Sequence, residues 1–150
     1  MCIRDRYRFY ENCIGWNPVL FREKFETEAF GDKAVKTGAD EYFQMREKML
    51  EGKSHMSFPK GFIEYVDFLF TLCGGGLFKD GHGICACTVE DGLCCVEEVL
   101  STDPKATAVA AACSLGCGRA EYYLTSDSGE PFIAADKAFP KGTIFNLVCE

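Results

Sequence analysis

Two tight-turn signals constrain the middle of the chain more than any other feature of the sequence. Asp80-Gly81 and Asp91-Gly92 separate three short apolar runs. An Asp-Gly pair readily adopts the positive backbone φ angles of a two-residue hairpin turn, so the flanking runs are expected to pair as antiparallel strands. The three runs cover residues 76–79, 83–89 and 93–100. The sequence therefore predicts a three-stranded antiparallel meander.

A helix and further strands are predicted after the meander. Asp103 is a suitable N-cap, Pro104 suits the first helical position, and an alanine-rich stretch then extends to the glycines at 116 and 118. Three more apolar runs predict strands at 120–125, 131–135 and 143–149. A meander followed by a helix crossover and further strands is typical of an α+β (α/β layered) fold.

The segment 59–73 is apolar almost all round. Pro59 suits the first position of a helix. Glu64, Asp67 and Thr71 recur at i, i+3 and i+7, so the polar side chains form a single narrow stripe. The sequence predicts a helix that contacts protein on more than one side.

The front of the chain has the pattern of a helix followed by a strand. Residues 7–14 resemble a helix end that Gly15 stops, and residues 19–25 form a strand-like run after the turn at Asn17-Pro18. This unit is expected to lack the elements that would normally precede it.

Residues 31–38 are small, polar and charged, and are predicted to be a linker. Asp40 is then expected to cap a helix over residues 41–50. This interpretation divides the chain into a segment 7–30 that closes one domain and a lobe 39–150 that forms the next.

The first six residues, Met1 to Arg6, read MCIRDR, which resembles a translated transposon adaptor from DNA library preparation. We expect these residues to be foreign to the protein, and the natural chain to continue upstream of residue 7.

Length and charge limit the classes of function. A chain of 150 residues is the size of one ordinary domain, and 16 basic against 23 acidic side chains give a net charge of −7. This balance argues against nucleic acid or an anionic membrane as the partner and favours a cationic or amine ligand. No apolar run approaches the roughly 18 residues of a membrane span, so a cytoplasmic protein is predicted.

Ten cysteines raise the possibility of a disulfide scaffold or a metal site. Five of them lie in strand-like runs or in the alanine-rich helix, where a thiol behaves as a small hydrophobic group. These are Cys85, Cys87, Cys94, Cys95 and Cys113. Adjacent strand residues point to opposite faces, so Cys94 and Cys95 cannot both join Cys85 and Cys87, even with His82 nearby. We predict buried thiols and no metal.

Residues 7–25, YRFYENCIGWNPVLFREKF, resemble the closing helix and last strand of a domain in the GNAT superfamily of acyl-CoA-dependent N-acetyltransferases. Gly15-Trp16 stands where the family has Gly-Phe. The order of elements over residues 59–150 resembles a second GNAT-like lobe of the multi-lobed, Eis-like members. The resemblance implies a C-terminal fragment of an enzyme that transfers acetyl from acetyl-CoA to an amine, inactive without its missing N-terminal lobe.

The resemblance also implies roles for three residues. Tyr10 matches the helix tyrosine that protonates the departing thiolate of coenzyme A, and the alternative is an amphipathic tyrosine that packs at a helix end. Glu97 and Glu98 lie in the strand where the family often places a general base or an amine-binding carboxylate. A buried carboxylate there would have a raised pKa, but both are solvated if the strand reaches an edge or a bulge.

One feature of the family does not occur in the sequence. The loop that cradles the coenzyme pyrophosphate carries Arg/Gln-x-x-Gly-x-Gly/Ala, and the corresponding stretch 100–106 has no glycine. Asp103 would repel a phosphate there, and Pro104 lacks an N–H donor. We therefore predict that the lobe 39–150 does not bind acetyl-CoA.

Other catalytic motifs find little support. Gly74-Gly75-Gly76 precedes a strand instead of a helix, and His55 and His82 sit in turns where solvated histidines are expected. The competing hypothesis is a non-enzymatic ligand-binding or protein-interaction module that buries the helix 59–73 against a partner. A glycine-rich loop after a strand further upstream would favour the enzyme.

Overall fold

The computed structural model describes residues 17–27, 31–124 and 130–135. The helix predicted at 7–14, which contains Tyr10, and the strand predicted at 143–149 lie outside these residues.

Three helices and seven strands are formed by the described residues. In chain order they are β1 (Asn17–Glu26), β2 (Val35–Lys36), α1 (Ala39–Leu50), α2 (Lys60–Leu72), β3 (Gly76–Lys79), β4 (Gly83–Glu90), β5 (Leu93–Ser101), α3 (Pro104–Leu115), β6 (Arg119–Leu124) and β7 (Glu130–Ala135). None of these helices has the length and apolar character needed to cross a membrane.

The seven strands form one sheet in the order β2-β3-β4-β5-β6-β1-β7. The predicted meander is confirmed, because β3, β4 and β5 pair antiparallel through the two Asp-Gly turns. Asp91 has a φ of 48° and Gly92 one of 74°, as a tight hairpin turn requires. Helix α3 then crosses over and β6 pairs parallel with β5, so the α+β layered fold is also confirmed.

Strand β1 lies inside this sheet, whereas the sequence pattern predicted that it belongs to a preceding domain. It pairs antiparallel with β6 on one side and with β7 on the other. Phe25 packs against Tyr122 with ring centroids 5.6 Å apart, which joins β1 to the core under α3. The proposed boundary at 31–38 therefore runs between strands of a single sheet.

The predicted linker is also tied to this sheet. The Ala34 N–H donates to the carbonyl of Ala110 at 3.1 Å, and the Thr37 N–H donates to the carbonyl of Leu77 at 2.9 Å. Ala34 and Thr37 are buried. Polarity of the flanking side chains suggested a free connection, but the backbone of this segment supplies the edge strand β2.

Of the two predicted N-caps, one is confirmed and the other is wrong. Asp103 caps α3 as predicted, since its side chain accepts a hydrogen bond from the Ala106 N–H at 3.0 Å. Asp40 does not cap α1, because Gly38 occupies the N-cap. The Asp40 carboxylate contacts the Lys60 ammonium at 2.6 Å, which joins the starts of α1 and α2.

Helices cover the sheet from both faces. Small side chains of α3 pack on one face against the buried Cys85, Cys87 and Cys94. Helices α1 and α2 pack on the other face, against Leu77 and Ile84. The sheet thus separates two cores, and polar groups that enter either core are removed from water.

Candidate functional site

Strands β5 and β6 pair in parallel over only part of their length. The pairing runs from Leu93 opposite Arg119 to Val96 opposite Tyr122, and it stops there although both strands continue. The register of β5 against β4 shifts at the same place, where Glu97 is an extra residue, a β-bulge. The two parallel strands therefore part at a bulge that presents Glu97.

The bulge decides which way Glu98 faces. Cys94 and Val96 belong to the core under α3, and strict alternation would place Glu98 on that face as well. The extra residue reverses the alternation, so that Glu98 faces α1 and Leu100 joins the core under α1 and α2.

Glu98 lies in a buried polar network with two side chains of α1. Its Oε1 accepts a hydrogen bond from the Tyr42 hydroxyl at 2.7 Å, and both carboxylate oxygens lie 3.2 Å from Nε of Arg46. Arg46 is fully buried, donates from Nη2 to the carbonyl of Met56 at 2.9 Å and lies over the Phe58 ring. Burial, followed by the charge of Glu98, raises the pKa of Tyr42 well above its ordinary value.

Glu98 therefore forms a structural ion pair with Arg46. The residue is 2% exposed, and Tyr42 and Arg46 occupy its oxygens, so a substrate amine does not reach it. The sequence left two environments open for these residues, a buried carboxylate and a position at a bulge. Glu98 is the buried carboxylate, and Glu97 lies at the bulge and is half-buried. The sequence did not single out Arg46 or Tyr42, since nothing local links them to a strand more than fifty residues away.

A second polar group lies where β6 meets β1. Glu121 is buried, its Oε1 accepts a hydrogen bond from the Tyr123 hydroxyl at 3.1 Å, and its Oε2 lies 3.6 Å from Nζ of Lys24 and 3.8 Å from Nη1 of Arg22. The two cations are at ion-pair distances, longer than hydrogen bonds. Cys95 is directly opposite Glu121 in the β5–β6 register.

The Glu121 group was missed from the sequence, although a signal was present. The run Arg119–Leu124 alternates, with Ala120 and Tyr122 in the core under α3. That alternation puts Glu121 and Tyr123 together on the opposite face. Burial, followed by the negative charge of Glu121, raises the pKa of Tyr123.

The N-terminus of α3 is occupied by the chain's own side chains. The Asp103 side chain caps the Ala106 N–H, and the Asp103 carbonyl accepts a hydrogen bond from the Thr107 N–H. The Asp103 N–H donates to Ser101 Oγ at 3.0 Å. The Thr107 hydroxyl lies 2.6 Å from Ser101 Oγ and donates to Asp80 Oδ1 at 3.2 Å. The backbone groups that could cradle a phosphate at this helix end therefore face a carboxylate that is already bound there.

The cysteines are divided between the two faces as the sequence predicted. Cys85, Cys87, Cys94 and Cys117 belong to the core under α3, whereas Cys95 does not. All seven cysteines in the described ranges are free thiols, and no three His, Cys, Asp or Glu side chains of those ranges converge as a metal ion would require.

We expect the protein to lose stability at alkaline pH. Burial raises the pKa of the Cys95 thiol from 9.0 to about 12, and the pKa values of Cys94 and Tyr123 are also raised. Above about pH 9 the unfolded chain releases protons that the native state retains, so the free energy of unfolding falls as pH rises from there. Urea unfolding with a reductant from about pH 7 to about pH 10.5 measures this loss.

A matched pair of variants checks the cause of that loss. Cys95→Ala removes one buried thiol and should make the stability less dependent on pH above 9, whereas Cys73→Ala removes an exposed thiol and should not. Equal pH dependence in the two variants would contradict the assignment to Cys95.

The chain combines an antiparallel meander, a helix crossover to a parallel strand and two helices on the opposite face, and this architecture is GNAT-like. The crystal structure of a GCN5-related N-acetyltransferase from Kribbella flavida is similar, with a TM-score of 0.51 and 15% sequence identity. The match covers 87% of this chain and 38% of that one, and at this identity it shows the fold alone. No protein-family model and no curated protein matches the sequence.

Proposed function

We propose that this chain is a coenzyme-free lobe of an N-acetyltransferase, and that the acetyl-CoA site lies in another lobe of a longer protein. The GNAT fold and the size of the match support this proposal, since the chain spans 38% of the Kribbella flavida enzyme. The acceptor is proposed to be an amine, in keeping with the net charge of −7.

The observation that carries the proposal is the filled N-terminus of α3. A helix N-terminus binds phosphate through free backbone N–H groups and a positive partial charge. Here the Asp103 carboxylate caps the Ala106 N–H at 3.0 Å, and Pro104 supplies no donor. A pyrophosphate would have to displace the Asp103 carboxylate, and it would find one N–H donor fewer because of Pro104.

Coenzyme binding provides the test. Titration of acetyl-CoA into the 150-residue chain by calorimetry is expected to show no saturable heat up to about 1 mM. A folded GNAT enzyme that binds the coenzyme serves as the positive control, and circular dichroism is used to check that this chain is folded before the titration. Binding in the micromolar range, or acetylation of polyamines or aminoglycosides by the chain alone, would overturn the proposal.

The catalytic roles belong to the same proposal. Tyr10 lies outside the described residues and is proposed as the proton donor to the coenzyme thiolate of the longer protein. Its variant Tyr10→Phe should lower acetyl transfer by that protein, and unchanged rates would remove Tyr10 from the mechanism. Glu97, at the bulge where β5 and β6 part, is the better placed of the two carboxylates to attract a cationic acceptor, because Glu98 is buried against Arg46.

A protein-interaction module is the second candidate function. One observation favours it: three large apolar side chains of α2 are exposed, namely Tyr65, Phe68 and Leu72. Such a stripe on a soluble lobe marks a contact surface, whichever lobe performs chemistry.

A further inference from the structure

Helix α2 is apolar on two opposite faces. Ile63 and Phe70 are buried against the sheet, whereas Tyr65, Phe68 and Leu72 are 56%, 62% and 69% exposed. The three exposed residues follow one another at i, i+3 and i+7, so they form a single stripe along the helix. No part of the described chain covers this stripe, which we call the α2 stripe.

We infer that the α2 stripe pairs with the same stripe of a second copy of this chain, with the two helices antiparallel about a two-fold axis. Gly61 extends the stripe by one turn, so its members, 61, 65, 68 and 72, alternate in steps of four and three, as in a coiled-coil seam. An antiparallel pair centred between Tyr65 and Phe68 places Tyr65 against Phe68 of the partner copy, and Leu72 against Gly61.

The sizes of Gly61 and Leu72 are complementary in this arrangement. A Cβ atom added at Gly61 would meet no atom of the described residues within 4 Å, so their packing does not require a glycine there. Gly61 is the second residue of α2, so the gap beside it lies at the start of the stripe. A second copy gives the gap an occupant, because Leu72 is 69% exposed and would enter it.

The charges beside the stripe are also self-complementary. Glu64 and Thr71 lie along one flank, and Thr71 Oγ1 accepts a hydrogen bond from Nζ of Lys36 at 3.2 Å. In the antiparallel pair, Glu64 of one copy faces Thr71 of the other copy. The carboxylate of this Glu64, which is 55% exposed, then lies towards Lys36 of the other copy. The other flank carries the half-buried Phe62 and Leu69, so neither flank opposes two like charges.

The area of the stripe predicts a weak dimer. Aromatic side chains bury on the order of 150–250 Å² each, so three partly exposed side chains and their flanks contribute roughly 500 Å² per copy. About 1,000 Å² in total is at the lower end for specific interfaces. We expect a dissociation constant on the order of 10–100 µM, measured at physiological ionic strength because the net charge of −7 opposes association at low salt.

Sedimentation equilibrium of the full chain over a concentration series is the test. The wild-type chain should pass from monomer to dimer, and Phe68→Glu should raise the dissociation constant at least about tenfold. Val35→Glu is the matched control, because Val35 is equally exposed at 62% but lies in β2 beside the pocket bordered by Ala106 and Val109 of α3. Its dimerisation should not change.

Charge exchange tests the register of the pair. Lys36→Glu and Glu64→Lys should each weaken the dimer, and the double variant should recover part of the loss, because the opposite charges face each other again. Gly61→Leu should fold normally and weaken the dimer by filling the space for Leu72. The side chains of Lys36 and Glu64 are both exposed, so the charge variants should keep the fold.

Three outcomes would overturn the inference. One is a chain that stays monomeric throughout the concentration series, which would leave the α2 stripe to a different lobe or protein. Another is a dimer that Phe68→Glu does not weaken. The third is a double charge variant no better than the single ones, which would exclude this antiparallel register.

Discussion

Glu98→Gln is expected to lower the free energy of unfolding by about 3–5 kcal/mol, because it leaves the Arg46 guanidinium buried without its carboxylate. Arg46 is 0% exposed and Glu98 2% exposed, and no water can replace the lost charge without opening the core under α1 and α2. The Tyr42 hydroxyl would also lose a charged acceptor at 2.7 Å. Urea denaturation followed by circular dichroism measures the change.

The same arginine supplies the control. Arg46 Nη1 lies 3.5 Å from Oε1 of Glu47, an ion pair without hydrogen-bond geometry whose carboxylate is 44% exposed. Glu47→Gln should therefore change stability by no more than about 1 kcal/mol. If Glu98→Gln and Glu47→Gln cost the same, Glu98 is not part of a buried ion pair as described.

A second comparison separates the charge from the packing. Replacing both partners, as in Arg46→Met with Glu98→Leu, removes the two buried charges together and should recover much of the loss seen in Glu98→Gln. Met and Leu would fill much of the volume of the Arg46 and Glu98 side chains, although the Tyr42 hydroxyl would then need a new acceptor. A double variant as unstable as Glu98→Gln would show that the unpaired charge of Arg46 is not the main cost, or that the lost hydrogen bonds of Tyr42 and the Met56 carbonyl cost as much.

The fold could be predicted where short-range chemistry decides it. The two Asp-Gly turns and the Asp103 cap depend only on residues a few positions apart, and the structure confirms them, although Asp80-Gly81 lies in a three-residue connection without the positive φ angles of Asp91-Gly92. Placement of β1 depends on which strands pair with it on its two sides. Its pairing with β6 and β7 joins segments about one hundred residues apart, and periodicity within β1 carries no information about them.

The candidate site was predictable to a lesser degree. The missing phosphate-binding glycines pointed to the α3 N-terminus, where the structure finds Asp103 bound to the Ala106 N–H. The orientation of Glu98 was not predictable, because a single extra residue at Glu97 reverses the alternation of the strand. A bulge arises from pairing with β4, so the sequence of β5 alone does not reveal which carboxylate enters the core.

Gly83→Ala is expected to destabilise the protein by about 3 kcal/mol or more, because the new methyl group would overlap the backbone of the neighbouring strand. A Cβ atom at Gly83 would lie 2.0 Å from the carbonyl oxygen of Leu100 and 2.7 Å from Cα of Ser101. These are backbone atoms of β5, so no rotamer change relieves the overlap, and the first pair of the β4–β5 ladder must separate. Thermal and urea unfolding measure the loss.

Gly81, two residues away in the turn that precedes β4, provides the matched control for this variant. A Cβ atom added there meets nothing within 4 Å, so Gly81→Ala should lie within about 0.5 kcal/mol of the wild type. Both substitutions add the same methyl group and lower the entropy of the unfolded chain equally, so their difference isolates the contact with β5. If Gly83→Ala is as stable as Gly81→Ala, the close approach of β4 and β5 at Leu100 is wrong, and with it the register that carries Glu98 to Arg46.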